Sequence, residues 1–185
     1  MARKYLRYLT FFLFTVVVLF VLITLILPST GRVVKETYIP VEKTIVRREL
    51  TSLANYGSWY PWIQVDPTAR ITPLGDSGIT WQGADKGAGY GSYILTDAEE
   101  DSVLHFQLTY NTVPDITGGY ILRPSEDGLG TTVIWFMNLK AGWTPWWRFY
   151  AAMMNKLTGP LMEAGLTNLK LSSEKIDSLQ RLQNR

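Results

Sequence analysis

The sequence has no cysteine and a single histidine, His105. The first absence excludes disulfides, thiolate metal sites and a cysteine nucleophile. The second excludes a histidine pair for zinc and gives a Ser-His-Asp triad only one candidate base. Charge is also scarce, with Asp, Glu, Lys and Arg making up 18% of the 185 residues. Three of the 18 basic residues, Arg3, Lys4 and Arg7, precede a long apolar run, so the rest of the chain sets 15 basic against 16 acidic residues, a net of −1. That balance offers no basic face for nucleic acid. Internal repeats and low-complexity tracts are missing as well. What the chain has in quantity is apolar surface, 46% of residues, with seven tryptophans.

Leu9 to Leu27 contains no charged residue and, of polar ones, only threonines such as Thr15 and Thr24. At about 1.5 Å per residue such a helix spans about 28 Å, close to the hydrocarbon thickness of a bilayer. Pro28 ends the run. Tyr5 and Tyr8 are suited to the headgroup region. The basic residues ahead of the run place the N-terminus in the cytoplasm and the later residues on the extracytoplasmic side, although Arg32 and Lys35 weaken the asymmetry. A cleaved signal peptide has a shorter apolar core and a small-x-small site, and "LPSTGR" lacks that pattern. The expectation is an uncleaved single-pass anchor over residues 1–31 and one domain over 32–185. "LPSTG" also matches a sortase signal, but that signal precedes a hydrophobic tail, and here the hydrophobic stretch comes first.

After the anchor, "VVKETYI" (33–39) alternates as a strand does, and "PVEKTIVRREL" opens a short helix expected from 41 to about 55 and broken at Gly57. Six strand-like runs follow: "ARITPL", "ITWQG", "YGSYILTDA", "SVLHFQLTY", "GGYILRP" and "TTVIWFMNL". The turns between them are rich in Gly, Asp and Pro, and no helix intervenes, so the pattern predicts an antiparallel meander and excludes a parallel Rossmann sheet. Two helical segments close the chain, 146–157 and 158–182, the second with Thr158 or Gly159 as cap and Pro160 in its first turn. Met162, Leu166, Leu169, Ile176 and Leu179 trace one face of it, with Ser173 in the gap. Gly165 on that helix suits close packing on the sheet. A sheet covered on one face by a long helix is a two-layer α+β arrangement.

Strand alternation sorts the two faces. Leu104, Phe106, Leu108 and Tyr110 fall on one side of their strand, with His105, Gln107 and Thr109 on the other. Val133, Trp135, Met137 and Leu139 form a second inner set; Ile79, Trp81, Tyr93 and Leu95 are weaker members, and Tyr120 is a further candidate. Aromatic side chains with polar tips line either a well-filled core or a small-molecule cavity, and alternation does not separate the two.

Several motifs carry little chemistry. "GAGYG" (87–91) precedes a strand, not a helix, and so offers no helix N-terminus to a phosphate. "EED" (99–101) reads as a solvated hairpin tip, since calcium would need further spaced acidic ligands. Asp66, Asp76, Asp85 and Asp127 read as turn residues. Arg123 is one polar group that could hold a substrate, but no pair of residues has a spacing that demands catalysis, and neither a metal nor another cofactor is expected.

The opening strand with "IPVEKTIVRREL", then "WYPWI", "ITWQG…GAGYGSYILT", "LRPSEDGLGTTVIW" and "GLTNLKLSSEK" together resemble the SRPBCC superfamily, the helix-grip fold of START domains and polyketide cyclase/dehydrase-like proteins. The best single match is "GTTVIW" (130–135), and the likeness spans about residues 33–180. The resemblance implies a curved antiparallel sheet of about seven strands around a long C-terminal helix, with two short helices after strand 1. It also implies a hydrophobic cavity that binds a lipid, isoprenoid or polyketide-like molecule. The implied lining is Trp62, Trp81, Tyr93, Phe106, Leu108, Tyr110, Tyr120, Trp135 and Met137 from the sheet side, with Met162, Leu166 and Leu169 from the helix. In "SWYPW", one of Trp59 and Trp62 is expected to plug the core and the other to border the cavity.

Three functions are therefore in view. The first is a membrane-anchored binder of an apolar small molecule, with Trp143, Trp146, Trp147, Phe149 and Tyr150 available to the membrane interface. The second is a cyclase- or hydrolase-like enzyme in the same cavity. The third is a protein-interaction module with a closed cavity, its exposed patch the "WTPWW" segment.

Overall fold

A computed structural model describes residues 2–66, 68–84, 89–96, 102–111 and 113–183. Helix α1, Ala2–Ile26, keeps nearly all its side chains exposed and meets the rest of the chain toward its carboxyl-terminal end. It is long and apolar enough to cross a membrane, by length and composition. Thr10 and Thr15 donate their hydroxyls back to the carbonyls of Leu6 and Phe11 at 2.9 Å, so neither is left unsatisfied on this apolar surface.

The seven strands are β1 (Thr30–Ile39), β2 (Arg70–Leu74), β3 (Gly78–Gln82), β4 (Tyr90–Thr96), β5 (Val103–Tyr110), β6 (Val113–Pro124) and β7 (Thr131–Lys140). They form one antiparallel sheet in the order β1-β7-β6-β5-β4-β3-β2. Strands β2 to β7 are the meander that the turn signals predict, and β1 closes on β7, with Thr30 opposite Lys140. The alternation holds. In β7, Thr131, Val133, Trp135, Met137 and Leu139 are buried in turn; in β5, Leu104, Phe106 and Leu108 are buried while His105 and Gln107 are exposed. At the edge, β2 is exposed throughout and carries Pro73, a residue that an interior strand would not accommodate. Gly118 in β6 has no room for a side chain, since an added Cβ would lie 2.5 Å from the Phe136 carbonyl oxygen and closer still to the Phe106 ring.

Between β1 and β2 the chain forms α2 (Lys43–Thr51), a 3-10 turn (Leu53–Asn55), α3 (Tyr56–Trp59) and α4 (Pro61–Gln64). The break expected at Gly57 lies elsewhere: Gly57 is inside α3, and the chain leaves the helical region at Ser52 and Tyr60. Tyr60 is extended (φ −72°, ψ 116°) because the ring of Pro61 disfavours a helical conformation in the residue before it.

The two expected C-terminal helices are one, α5, Pro145–Gln183. Pro160 lies inside it rather than at a helix start, and Thr158 and Gly159 are buried helical residues rather than caps. The missing backbone hydrogen bond at Pro160 is offset because the turns on both sides are buried, through Ala151 and Met154 before it and Met162 and Leu166 after it. Helix α5 packs mainly along β1. There the Lys35 ammonium meets the Glu163 carboxylate at 2.5 Å, and Gly31 approaches the Ala151 backbone. The predicted apolar stripe is buried through Met162, Leu166, Leu169 and Ser173, then fades: Ile176 is half-buried and Leu179 is exposed. Gly165 does sit at a close approach, since a Cβ there would lie 2.8 Å from Pro61 Cδ and 2.9 Å from Trp135 Cζ3.

Candidate functional site

The extended Tyr60 turns the chain so that α3 and α4 both send aromatic rings under the sheet. Tyr56, Trp59 and Tyr60 are fully buried, and Trp62 nearly so. The rings they meet come from the strands, Trp81 from β3, Tyr93 from β4, Tyr120 from β6 and Trp135 from β7, and Phe106 of β5 packs in turn on Tyr93 and Tyr120. Ring centroids are 4.5 Å apart for Tyr56 and Tyr93, 5.3 Å for Tyr120 and Trp135, and 6.1 Å for Trp62 and Trp135. These edge and tilted geometries are favourable for aromatic pairs. Leu108, Met137, Met162, Leu166 and Leu169 are buried in the same core, whereas Tyr110 is half-buried at its rim and stacks on Trp81 at 6.3 Å. Trp59 and Trp62 both pack into this core. Four hollows stand out among the described residues, and none is enclosed. One, of about 410 Å³, lies on the outer side beside Arg70, Thr72, Thr80 and Gln82.

The core is unusual in its polar atoms. The hydroxyls of Tyr56, Tyr60, Tyr93 and Tyr120, the indole nitrogens of Trp59 and Trp135, and the Ser173 hydroxyl are buried without a hydrogen-bond partner. Most buried polar groups find one, and a missing partner costs about 1–3 kcal/mol. The phenols of Tyr56, Tyr93 and Tyr120 face one another closely enough to influence one another's ionisation, yet no pair meets hydrogen-bond geometry. Burial, more than any neighbour, pushes all four phenols well above the ordinary tyrosine range. They are therefore hydrogen-bond donors at neutral pH and not bases.

Two carboxylates missed as site residues are buried and fully engaged. Glu49 of α2 accepts from the Asn55 amide at 2.8 Å and the Ser172 hydroxyl at 2.7 Å, tying α2 to α5. Its acidic position in a run of polar residues gave no sign of burial. Asp66 accepts from the Thr68 backbone and from Ala84 N at 2.8 Å, so it is a turn residue that also ties the α4–β2 connection to the end of β3. His105 and Arg123 lie on the exposed side, away from the core. Asp127 sits in the turn before β7, where the Ser125 hydroxyl and Leu129 N–H hold its carboxyl below the usual range. "EED" and the first two residues of "GAGYG" lie outside the described residues, and Tyr90 and Gly91 open β4. Among those described, no cluster of His, Cys, Asp and Glu is built to hold a metal.

The "WTPWW" segment divides. Trp143 and Trp146 are 81% and 63% exposed and Phe149 38%, whereas Trp147 and Tyr150 are half-buried against the core. Between them lies a residue that sequence reasoning passed over. Arg148 is buried, and its Nη1 donates to the carbonyls of Thr24 (2.9 Å), Leu27 (3.2 Å) and Leu25 (3.3 Å), at the end of α1 and just past it. Its Nε donates to Gly142 O at 3.0 Å, and its guanidinium lies over the Trp143 ring at 5.4 Å. The next residue, Phe149, stacks on Phe20 of α1 at 6.1 Å.

At the level of sequence, no family model and no curated protein matches. Solved structures do match in fold. An aromatase/cyclase of a Streptomyces species, Zhui, is 12% identical with a TM-score of 0.56, over 79% of this chain and 94% of that one. A START superfamily protein of Mycobacterium smegmatis is 13% identical with a TM-score of 0.55, over 78% and 98%. An uncharacterised protein of Bacillus thuringiensis is 11% identical with a TM-score of 0.56, over 77% and 98%.

Proposed function

For a chain with the helix-grip fold of START and aromatase/cyclase structures, we propose a membrane-tethered domain that takes up an apolar small molecule between the sheet and α5. The observation that carries this reading is the set of unpartnered phenol and indole donors in an otherwise apolar interior. A molecule with a hydrophobic frame and a few oxygen acceptors, of lipid, isoprenoid or polyketide type, would satisfy donors that the protein leaves unused. Catalysis has less support, because neutral phenols cannot take a proton and His105 and Arg123 point away. In this reading residues 1–31 anchor the chain with its N-terminus in the cytoplasm, supported by Arg3, Lys4 and Arg7 ahead of the apolar run. The domain from 32 onward then lies on the extracytoplasmic side.

A second reading, a protein-interaction module with a closed interior, has one observation in its favour. The core rings already touch one another, while Trp143 and Trp146 are open.

Native mass spectrometry of the full chain, followed by extraction of co-purifying small molecules, separates the two. The expected result is a stoichiometric apolar adduct that disappears in Leu108→Trp. A bare mass that stays bare after incubation with a mixed lipid extract would sink the ligand reading. A protein retained by the wild type and released by Trp146→Ala would support the second.

A further inference from the structure

The amino-terminal part of α5 presents an apolar face that none of the described residues of the domain covers. Trp146, Phe149, Met153 and Leu157 are all exposed, and their spacing of three, four and four residues places them in one stripe along the helix. Lys156, also exposed, flanks the stripe, and Trp143 precedes it. On a helix bathed in water this stripe would be a liability. What distinguishes it is its continuity with α1. Phe149 stacks on Phe20, and Arg148 holds the carbonyls of Thr24, Leu25 and Leu27.

Those contacts fix a depth. The apolar run of α1 ends at Leu27, and Phe20 lies seven residues before it, which is about 10 Å along the helix. A side chain level with Phe20 is therefore about as deep as the buried face of an interfacial helix, about 5–10 Å into the headgroup and acyl boundary. The aromatic content and the flanking lysine suit that boundary, where Trp concentrates and a Lys stem can extend toward phosphate. Arg148 also argues that α1 is retained: without α1, Arg148 would keep only the Gly142 carbonyl of its four backbone acceptors.

We propose that the first three turns of α5, with Trp143 ahead of them, lie in the headgroup and acyl boundary of the leaflet at the carboxyl-terminal end of α1, clasped to that helix by Arg148. The proposal rests on α1 being a membrane span. It is independent of whether the interior holds a ligand.

The absence of cysteine makes the test direct. Single variants Trp146→Cys, Met153→Cys and Leu157→Cys carry a small fluorophore in the full chain, reconstituted in phosphatidylcholine vesicles with or without nitroxide lipid. Val17→Cys reports on the span. Ser178→Cys, about 48 Å along α5 from Trp146, reports on the far end. Labels at 146, 153 and 157 are expected to lose most of their fluorescence to nitroxide lipid and to resist iodide, with Ser178→Cys behaving in the opposite way. If Val17→Cys is quenched by lipid but the three α5 labels respond to iodide as Ser178→Cys does, the interface proposal is overturned while the span stands. If Val17→Cys itself escapes lipid quenching, the span fails and the proposal with it. In the Met153→Cys background, Arg148→Met is expected to lose much of the lipid quenching while Val17→Cys with the same change keeps it. Unchanged quenching would remove the clasp from the proposal.

Discussion

The two halves of α5 belong to one unbroken helix but are written for different surroundings. From Pro145 to Leu161 there are two charged residues, Arg148 and Lys156, and the exposed face is apolar. From Met162 to Gln183 there are six, and the exposed residues are mostly polar, Thr167, Lys175 and Ser178 among them. The inward faces differ as well. The second half buries Met162, Leu166 and Leu169 in the core, while the first half buries Ala151 and Met154 there and, in addition, an arginine against the end of α1. The lesson is that helix continuity does not imply a single environment: one helix joins the sheet to α1.

The sharpest way to break this contrast is to place the same charge in each half. Met162→Lys buries an ammonium without a partner and is expected to cost more than about 4 kcal/mol. Met153→Lys, at an exposed position, is expected to stay within about 0.5 kcal/mol in detergent. Thermal unfolding of the two variants side by side measures the difference, and similar losses would contradict it.

Alkali addresses the core side. Four buried phenols have folded pKa values raised above the unfolded one, so their contribution is intact below about pH 10. Above it the unfolded chain releases protons that the folded chain retains, and stability falls. Each phenol contributes about 1.4 kcal/mol per pH unit to that slope. Urea midpoints should be flat up to about pH 10 and then drop steeply; a flat profile to pH 12 would show that the phenols ionise in place.

Smaller effects test the joints. Glu49→Ala leaves the Asn55 amide and Ser172 hydroxyl without their acceptor and is expected to cost about 1–3 kcal/mol in urea unfolding. Ser173→Ala removes a buried hydroxyl that has no partner, and should leave stability unchanged or raise it by up to about 1 kcal/mol. A clear loss there would reveal a partner for that hydroxyl.

Much of the architecture was legible because its signals are local. Alternation in "SVLHFQLTY" and "TTVIWFMNL" assigned the inner faces, and Gly-, Asp- and Pro-rich turns marked the meander. Pro61 and Gly165 were read in their places. The sequence misled where a local signal was overridden by packing. Pro160 reads as a helix start, but burial on both sides carries α5 through it. Gly57 reads as a breaker, whereas the steric demand of Pro61 sets the real break at Tyr60. Partners far apart in the chain left no local trace at all. Nothing near Arg148 indicates carbonyls about 120 residues earlier, and nothing near Glu49 indicates Ser172.

The pairing of β1 with β7 has a consequence for the order in which the molecule assembles. Chain synthesis delivers α1 and β1 first, but Thr30 finds its partner only when Lys140 has been made, so β1 waits as an unpaired edge while the meander folds through its neighbouring hairpins. Helix α5 follows β7 immediately, and Arg148 is only eight residues past the end of that strand. The strand that completes the sheet and the arginine that engages the end of α1 thus emerge nearly together. Closing the domain and attaching it to its helix become two results of a single late event.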